Sequence, residues 1–450
     1  MANPEVNARI LRRLLASGAA GRAERLLARM QAADIAPLLS GLTPDEVRGV
    51  FEMLFRQRRA ASVVRELPPE LLPAVTDALA DQRLADVIGR LEIDDMLELV
   101  AGIPEERRAE VVAHLPPAKR EELEKAERHP PSSAGRVMTT RFVALDEKLT
   151  AQQAIDRIRA AGDEIGSIFY LYVVDEGGRL RGVIPLRRLV SAPPGRSVAE
   201  LMITDPVSVG ADADQEQAAQ LVARYDLLAL PVTDAEGRML GVITVDDVID
   251  VIHEEATEDM YLLAGLSEED RVFTPALLSV RKRLPWMLAN LGTCFLAAWV
   301  VGLFERALEQ VVALAVFMPV VAGMGGNGGI QAVTVITRGI ALGEIEFSTG
   351  LRAVGKELAV GLLVGLVTGV VSAAFAWLWQ GDPWLGLALV LAMMVTLGVA
   401  GLAGAAVPLL LQALRLDPAL GAGVIVTTFT DVFGFFSFLG IATLLLDRLT

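Results

Sequence analysis

Residues 421–446 read GAGVIVTTFTDVFGFFSFLGIATLLL, and one letter in that run decides how the rest of the chain is read. Asp431 is its only ionisable residue. A helix of roughly 20 apolar residues crosses a hydrocarbon core of ~30 Å, and this run is long enough to do so. A carboxylate near the middle of such a helix costs about 2.5–3.5 kcal/mol on insertion scales unless it faces water or a partner. The least costly arrangement is an aqueous path with a cation in it. Thr427, Thr428 and Thr430 stand beside the acid and add hydroxyl oxygens, the donor type hard cations prefer. The run therefore points to cation permeation.

Working outward, four more apolar stretches precede it, and the spans are expected near 284–304, 311–337, 357–379, 384–412 and 420–446. None of the others carries a charge in its interior. Residues 1–272, by contrast, are rich in charge, and the 450-residue chain is too long for one compact core. No apolar segment opens the sequence, so the soluble portion is expected to stay in the cytoplasm. Arg281, Lys282, Arg283, Arg338, Arg352, Lys356 and Arg415 fall at ends on that side, against Arg306 and Arg448 on the other. This asymmetry predicts an N-terminus inside and a C-terminus outside. The net charge of −15 argues against nucleic acid as a partner and favours cations. The single Cys294 excludes a disulfide framework within one chain. No phosphate-binding glycine loop, nucleophile–base pair or histidine cluster is present, and His114, His129 and His253 are scattered, so no enzyme chemistry is expected.

The soluble half has its own periodicity. Leu42-Thr-Pro, Phe55, Leu67-Pro-Pro, Leu79, Leu91, Ile103-Pro-Glu and Leu115-Pro-Pro recur at roughly twelve residues, the pattern of short stacked amphipathic helices. His129-Pro-Pro-Ser-Ser reads as a linker. Beyond it, strand-like runs flank charged glycine turns twice: 169–174 and 180–184, then 228–232 and 239–245. The halves match, Val137-Met138-Thr139-Thr140 against Leu201-Met202-Ile203-Thr204, and Gly182-Val183-Ile184 against Gly241-Val242-Ile243. This pair resembles a tandem CBS module over roughly 133–254. Such modules often hold a nucleotide ribose on a Thr/Ser and an Asp. Tyr170, Thr244 and Asp247 fit that role, whereas Pro185 and Arg188 replace the pair in the first half and Leu227 stands where an aromatic is expected. ATP modulation is therefore expected to be weak or absent.

Asp247, Asp250, Glu254 and Glu258 share one helix face, with Glu255 and Asp259 on its flank. Like charges so spaced weaken an isolated helix by a few tenths of a kcal/mol per pair, on the order of 0.2–0.5, and divalent cations relieve the repulsion. Asp214, Glu216 and Asp226 add carboxylates from the second CBS unit. This acidic helix leads towards the first span and is read as a cation sensor. In the second span, Pro319-Val-Val-Ala-Gly-Met-Gly-Gly-Asn-Gly-Gly-Ile-Gln is expected to break or unwind the helix, its freed carbonyls, Asn327 and Gln331 lining a polar path. Gly361, Gly365 and Gly369 in the third span are read as close helix packing.

With Gly325-Gly326-Asn327-x-Gly329-x-Gln331 and Thr427-Thr428-Phe429-Thr430-Asp431 in place, and Asp417-Pro418-Ala419 and Ala256-Thr257-Glu258-Asp259 in support, the chain resembles the MgtE family of magnesium channels and transporters over its whole length. The resemblance implies a multidomain fold: an α-helical superhelical N-domain over 1–130, an α+β tandem CBS domain over 131–255, an acidic connecting helix and linker over 256–283 and an all-α five-span transmembrane domain over 284–450. It implies a homodimer in a bacterial inner membrane, with Asp431, Asn327 and Thr428 at the pore. It implies sensing of cytosolic Mg²⁺ by Asp94, Glu98, Asp214, Glu216, Asp226, Asp247, Asp250, Glu255, Glu258 and Asp259, with closure at high Mg²⁺. Two alternatives stand beside this reading: a secondary transporter or exchanger using Asp431 for ion coupling, and a non-conducting CBS sensor.

Overall fold

The computed structural model describes residues 4–68, 71–161, 168–267, 270, 272, 274–345 and 347–449. The chain forms two compact units, Met1–Val251 and Ile252–Thr450.

The first unit opens with short helices that include Asp81–Ile88, Ile93–Ala101, Glu105–Ala113 and Pro117–Ala126. Their starts fall twelve residues apart, at the spacing read from the prolines and leucines. Each buries one face in a continuous core containing Phe51, Leu54, Leu84, Ile88, Met96 and Leu99. Short helices leave many terminal carbonyls unsatisfied, and basic side chains from later units reach back to them. Arg107 donates to Thr76 O and Leu79 O, and Lys119 Nζ donates to Leu91 O.

Two small sheets follow. β1 (Ala144–Asp146) runs parallel to β2 (Tyr170–Val174), which pairs antiparallel with β3 (Leu180–Pro185) and then β4 (Ile203–Thr204). The second sheet is β5 (Val209–Gly210), β6 (Ala229–Thr233) and β7 (Met239–Thr244), with the same pairing senses. Both strand–turn–strand hairpins stand where the alternation and glycine turns put them. The matched segments 137–140 and 201–204 acquire a physical role here. Ile203 pairs with Val183 at the edge of the first sheet, and Thr139 bridges to Val242 at the edge of the second. A Cβ on Gly182 would lie 2.7 Å from Ile203 O, and one on Gly241 would lie 2.7 Å from Thr139 O. The repeated glycine is the condition for the repeated edge contact.

In the second unit five helices are long and apolar enough to cross a membrane: Ala276–Gly302, Ala313–Ala341, Phe347–Gln380, Pro383–Ala413 and Ala422–Leu444. Third and fourth pack most intimately. Cβ atoms on Gly361, Gly365 and Gly369 would fall 2.1, 2.6 and 2.9 Å from backbone atoms of Leu397, Met393 and Val390, so only glycine permits this approach.

Two expectations are corrected. The glycine-rich second span does not unwind: Ala313–Ala341 is one continuous helix with Pro319 inside it. The reason is packing. Cβ atoms on Gly325, Gly328 and Gly329 would meet Thr396, Leu397 and Val426 side chains at 2.7, 2.4 and 2.6 Å. The glycines let the second helix press against the fourth and fifth, and lipid would not tolerate the unpaired backbone that unwinding leaves. Second, the third span begins ten residues earlier than expected, so Arg352, Lys356 and Glu357 lie on its helix. Glu357 is 6% exposed and its carboxylate is held by Lys356 Nζ at 2.6 Å. Asp431 is thus not the sole acid on these helices, but Glu357 carries its own counter-charge.

Candidate cation sites

In the first unit the N-terminal helices and the CBS sheets enclose a cavity of about 350 Å³. Asp94 and Asp95, from the first turn of Ile93–Ala101, face Asp246, Asp247 and Asp250 across it, with Glu92, Glu66, Arg65 and Arg141 also on its wall. Thr244, closing β7, donates to Asp247 Oδ2 through its hydroxyl and, at 3.1 Å, through its backbone N–H. Thr244 and Asp247 are therefore engaged with each other.

Burial dominates the electrostatics. The Asp95 carboxyl is pushed up to about 8, first by burial and then by the neighbouring Asp94 charge. Burial pushes Asp247 up to about 7, opposed by the Thr244 hydroxyl and assisted by Asp94. Asp94 rises to about 6, again chiefly through burial. Its Oδ1 is buried without a hydrogen-bond partner among the described residues. These are acids facing acids, with too few donors to satisfy them. A divalent cation would supply the missing charge, and an orphaned carboxylate oxygen is the type of ligand it takes. Among the described residues no three acidic, histidine or cysteine side chains form a ready-made metal cage in one chain.

The other expected sensor acids are dispersed. Asp214 caps Gln215–Tyr225, accepting from Glu216 N at 2.8 Å, while Asp226 sits at the opposite end of that helix in a left-handed conformation. Glu98 is exposed on the helix of Asp94 and adds its charge to Asp95. Asp94, Asp247 and Asp250 are brought together, with Glu98 one turn along the Asp94 helix; Asp214, Glu216 and Asp226 lie outside the cavity's lining. Asp95 was missed by the sequence reading, although the dense run Glu92-Ile93-Asp94-Asp95 signals it.

The acidic helix runs Val245–Leu263 without interruption. In the second unit Glu255, Glu258 and Asp259 are half-buried on it. Burial, and then the nearby Asp417 charge, push the Asp259 carboxyl up to about 6 against the pull of Arg338. Asp417, one residue before Pro418, is a second acid that the sequence reading quoted without giving it a role. Its Oδ1 accepts from Ala419 N at 2.6 Å, which fixes the turn before the fifth span.

In the fifth span Thr427, Thr428 and Asp431 fall at i, i+1 and i+4 and are all half-buried. The Thr427 and Thr428 hydroxyls both donate to Val424 O, at 3.0 and 2.8 Å, which leaves their oxygens as acceptors. Thr430 faces the other way, fully buried against Gly325. Asp431 has no hydrogen-bond or ion-pair partner among the described residues. Asn327 is exposed on the second span beside Gly326, around which there is open space.

Tandem CBS sheets on a helical N-domain, an acidic connecting helix and five spans long and apolar enough to cross a membrane define a multi-pass membrane protein with a large polar N-terminal portion. Comparison with known proteins specifies it. The family model described as "Divalent cation transporter" matches residues 318–441, the "MgtE intracellular N domain" matches 30–132, and "CBS domain" matches 134–195 and 198–254. The magnesium transporter MgtE of Bacillus subtilis is 31% identical over 427 residues, covering 92% of this chain and 95% of that one. That of Thermus thermophilus is 35% identical over 412 residues, covering 90% and 91%. Among solved structures, the cytosolic domain of the Mg²⁺ channel MgtE in complex with ATP is 35% identical, with a TM-score of 0.51, covering 54% of this chain and 99% of that one. The chain belongs to the MgtE family of magnesium transporters, a family of transporters rather than enzymes.

Proposed function

We propose that the protein is a Mg²⁺-selective channel, assembled from two copies around paired Asp431 side chains and closed by cytosolic Mg²⁺. The observation that carries this reading is Asp431 itself, a carboxylate within an apolar span, without an internal partner and flanked by the acceptor oxygens of Thr427 and Thr428. Two such acids facing one another hold a largely hydrated Mg²⁺ without stripping its waters, and Asn327 adds a carbonyl oxygen. Regulation rests on the half-buried acids Asp94, Asp95 and Asp247 and on Asp259 beside Asp417. Metal bridging favours the state in which these carboxylates are close, and that differential binding shifts the population towards closure. Under this reading the N-terminus is cytoplasmic and the C-terminus lies on the far side of a bacterial inner membrane. The aromatic wall formed by Phe142, Tyr170 and Tyr172 offers a stacking surface for a nucleotide base. Phosphates beside Asp94 and Asp247 would need Mg²⁺ between them, so ATP is a secondary ligand at most.

The test is Mg²⁺ flux into liposomes containing the purified protein, with Asp431→Asn beside wild type. Loss of selective flux in a folded variant is expected; undiminished flux would remove Asp431 from the pore. Discrete conductance steps in single-protein recordings separate a channel from an exchanger, whose flux is tied to Na⁺ or H⁺.

A further inference from the structure

We propose that Trp286 is the positioning residue that couples the connecting helix to the pore helix. The inference rests on the gating reading above and adds the part that transmits it.

Two backbone turns meet under one indole. Gly265 follows the connecting helix with φ +68°, and Gly421 caps the fifth span with φ +60°. A Cβ on Gly265 would lie 3.5 Å from Trp286 Cδ2, and one on Gly421 would lie 2.6 Å from Cη2 and 2.8 Å from Cζ3. The ring therefore covers the first turn with its fused edge and the second with its far edge. Both positive φ values suit glycine, and at Gly421 any side chain would strike the indole.

The two helices are also joined beneath the ring. Leu262 O accepts from Gly265 N at 3.0 Å and from Gly421 N at 3.3 Å. A Cβ on Gly423 would lie 2.4 Å from Leu263 O, so the end of the connecting helix rests directly on the first turn of the fifth span. Leu263 packs into the cluster of Val333, Ala403, Ala422 and Val426, shared by the second, fourth and fifth spans.

Asp270, between the connecting helix and the first span, is held on the same stripe of that span. Asp270, 3% exposed, accepts from Ser279 Oγ at 2.6 Å and from Arg283 Nε. Ser279, Arg283 and Trp286 recur at i, i+4 and i+7, one helix face. That face thus holds the connector at Asp270 and at Gly265, and reaches the pore helix at Gly421. From Gly421 the fifth span rises as a continuous helix to Asp431, about 15 Å at 1.5 Å per residue. A displacement of the connecting helix that lifts Leu262 reaches Gly421 through that hydrogen bond, and the indole over both turns keeps the two from separating as they move.

The experiment measures Mg²⁺ flux in proteoliposomes as a function of Mg²⁺ on the cytoplasmic side, for wild type, Trp286→Phe and Trp286→Ala. Flux at low cytoplasmic Mg²⁺ is expected to stay within twofold of wild type in both variants. The Mg²⁺ concentration that halves flux is expected to rise tenfold or more in Trp286→Ala, with Trp286→Phe in between. If Trp286→Ala does not fold, Trp286→Phe carries the same comparison. Unchanged half-closing concentrations, or loss of flux already at low Mg²⁺, would overturn the coupling role. A wild type that does not close at any Mg²⁺ concentration would instead overturn the gating reading.

Discussion

Raising the pH from 6 to 8 should tighten Mg²⁺ binding in the acidic cleft by about tenfold per unit, the slope expected when each bound ion displaces one proton. The magnitude follows from three side chains. Asp95, Asp247 and Asp94 titrate near 8, 7 and 6, against an ordinary value of 3.8. At neutral pH the metal-free cleft therefore holds roughly one to two protons, and Mg²⁺ must displace them to use the carboxylates. Asp94 raises both of the others, so the three do not titrate independently, and one proton per ion is the safer slope. Each raised value favours the neutral acid in the closed cleft. The penalty is absent below about 4, grows between about 4 and 8, and is complete above that range. Without metal, closure should thus weaken as pH rises, and with excess Mg²⁺ the loss should largely disappear. Glu92, Glu66, Asp246, Asp250, Arg65 and Arg141 face the same space and shift the midpoint without reversing the sign. Calorimetric titration of the full-length protein, in two buffers of different ionisation enthalpy, reads proton release directly. Asp95→Asn should lower the released proton count and flatten the pH dependence. Affinity that stays level from pH 6 to 8, or proton release unchanged in Asp95→Asn, would refute the reasoning.

Other outcomes follow from packing and from single contacts. Gly361→Val should destabilise the membrane half by about 3 kcal/mol or more, because its Cβ would lie 2.1 Å from Leu397 O and neither helix backbone can yield; a thermal melt in detergent reads this as a lowered Tm. Asp270→Ala should lower the Tm of the membrane half, since it leaves Ser279 and Arg283 without their acceptor. The Ser279 hydroxyl and then Arg283 hold the Asp270 carboxyl below its usual range, so its contribution is present above about 4 and fades on acidification below that. Thermal melts against pH, in wild type and Asp270→Ala, check both statements.

Much of the architecture was legible because it depends on short-range periodicity. The length of an apolar run is the length of a span, and alternation about Asp175-Glu-Gly-Gly and Asp234-Ala-Glu-Gly is a hairpin wherever it occurs. Asp431 was legible for the same reason, since a charge in an apolar run needs no partner to be conspicuous. The acidic helix was visible as a stripe, but which of its acids are buried was not. Asp247 meets Asp94 and Asp95 only because the stacked helices close over the CBS sheets.

What the sequence by itself determined was the inventory: five spans, two matched half-modules, a helical stack and a lone carboxylate in the fifth apolar run. Tertiary structure alone decided the glycines of 325–329, read locally as breakers and found holding a straight helix against two neighbours. It alone placed Glu357 beside its counter-ion at the buried face of the third span, and laid Trp286 over Gly265 and Gly421. Propensity and hydropathy are properties of neighbours along the chain. Whether a missing side chain loosens a helix or lets another helix in depends on what arrives from 69 to 97 residues away in sequence, and only packing specifies that.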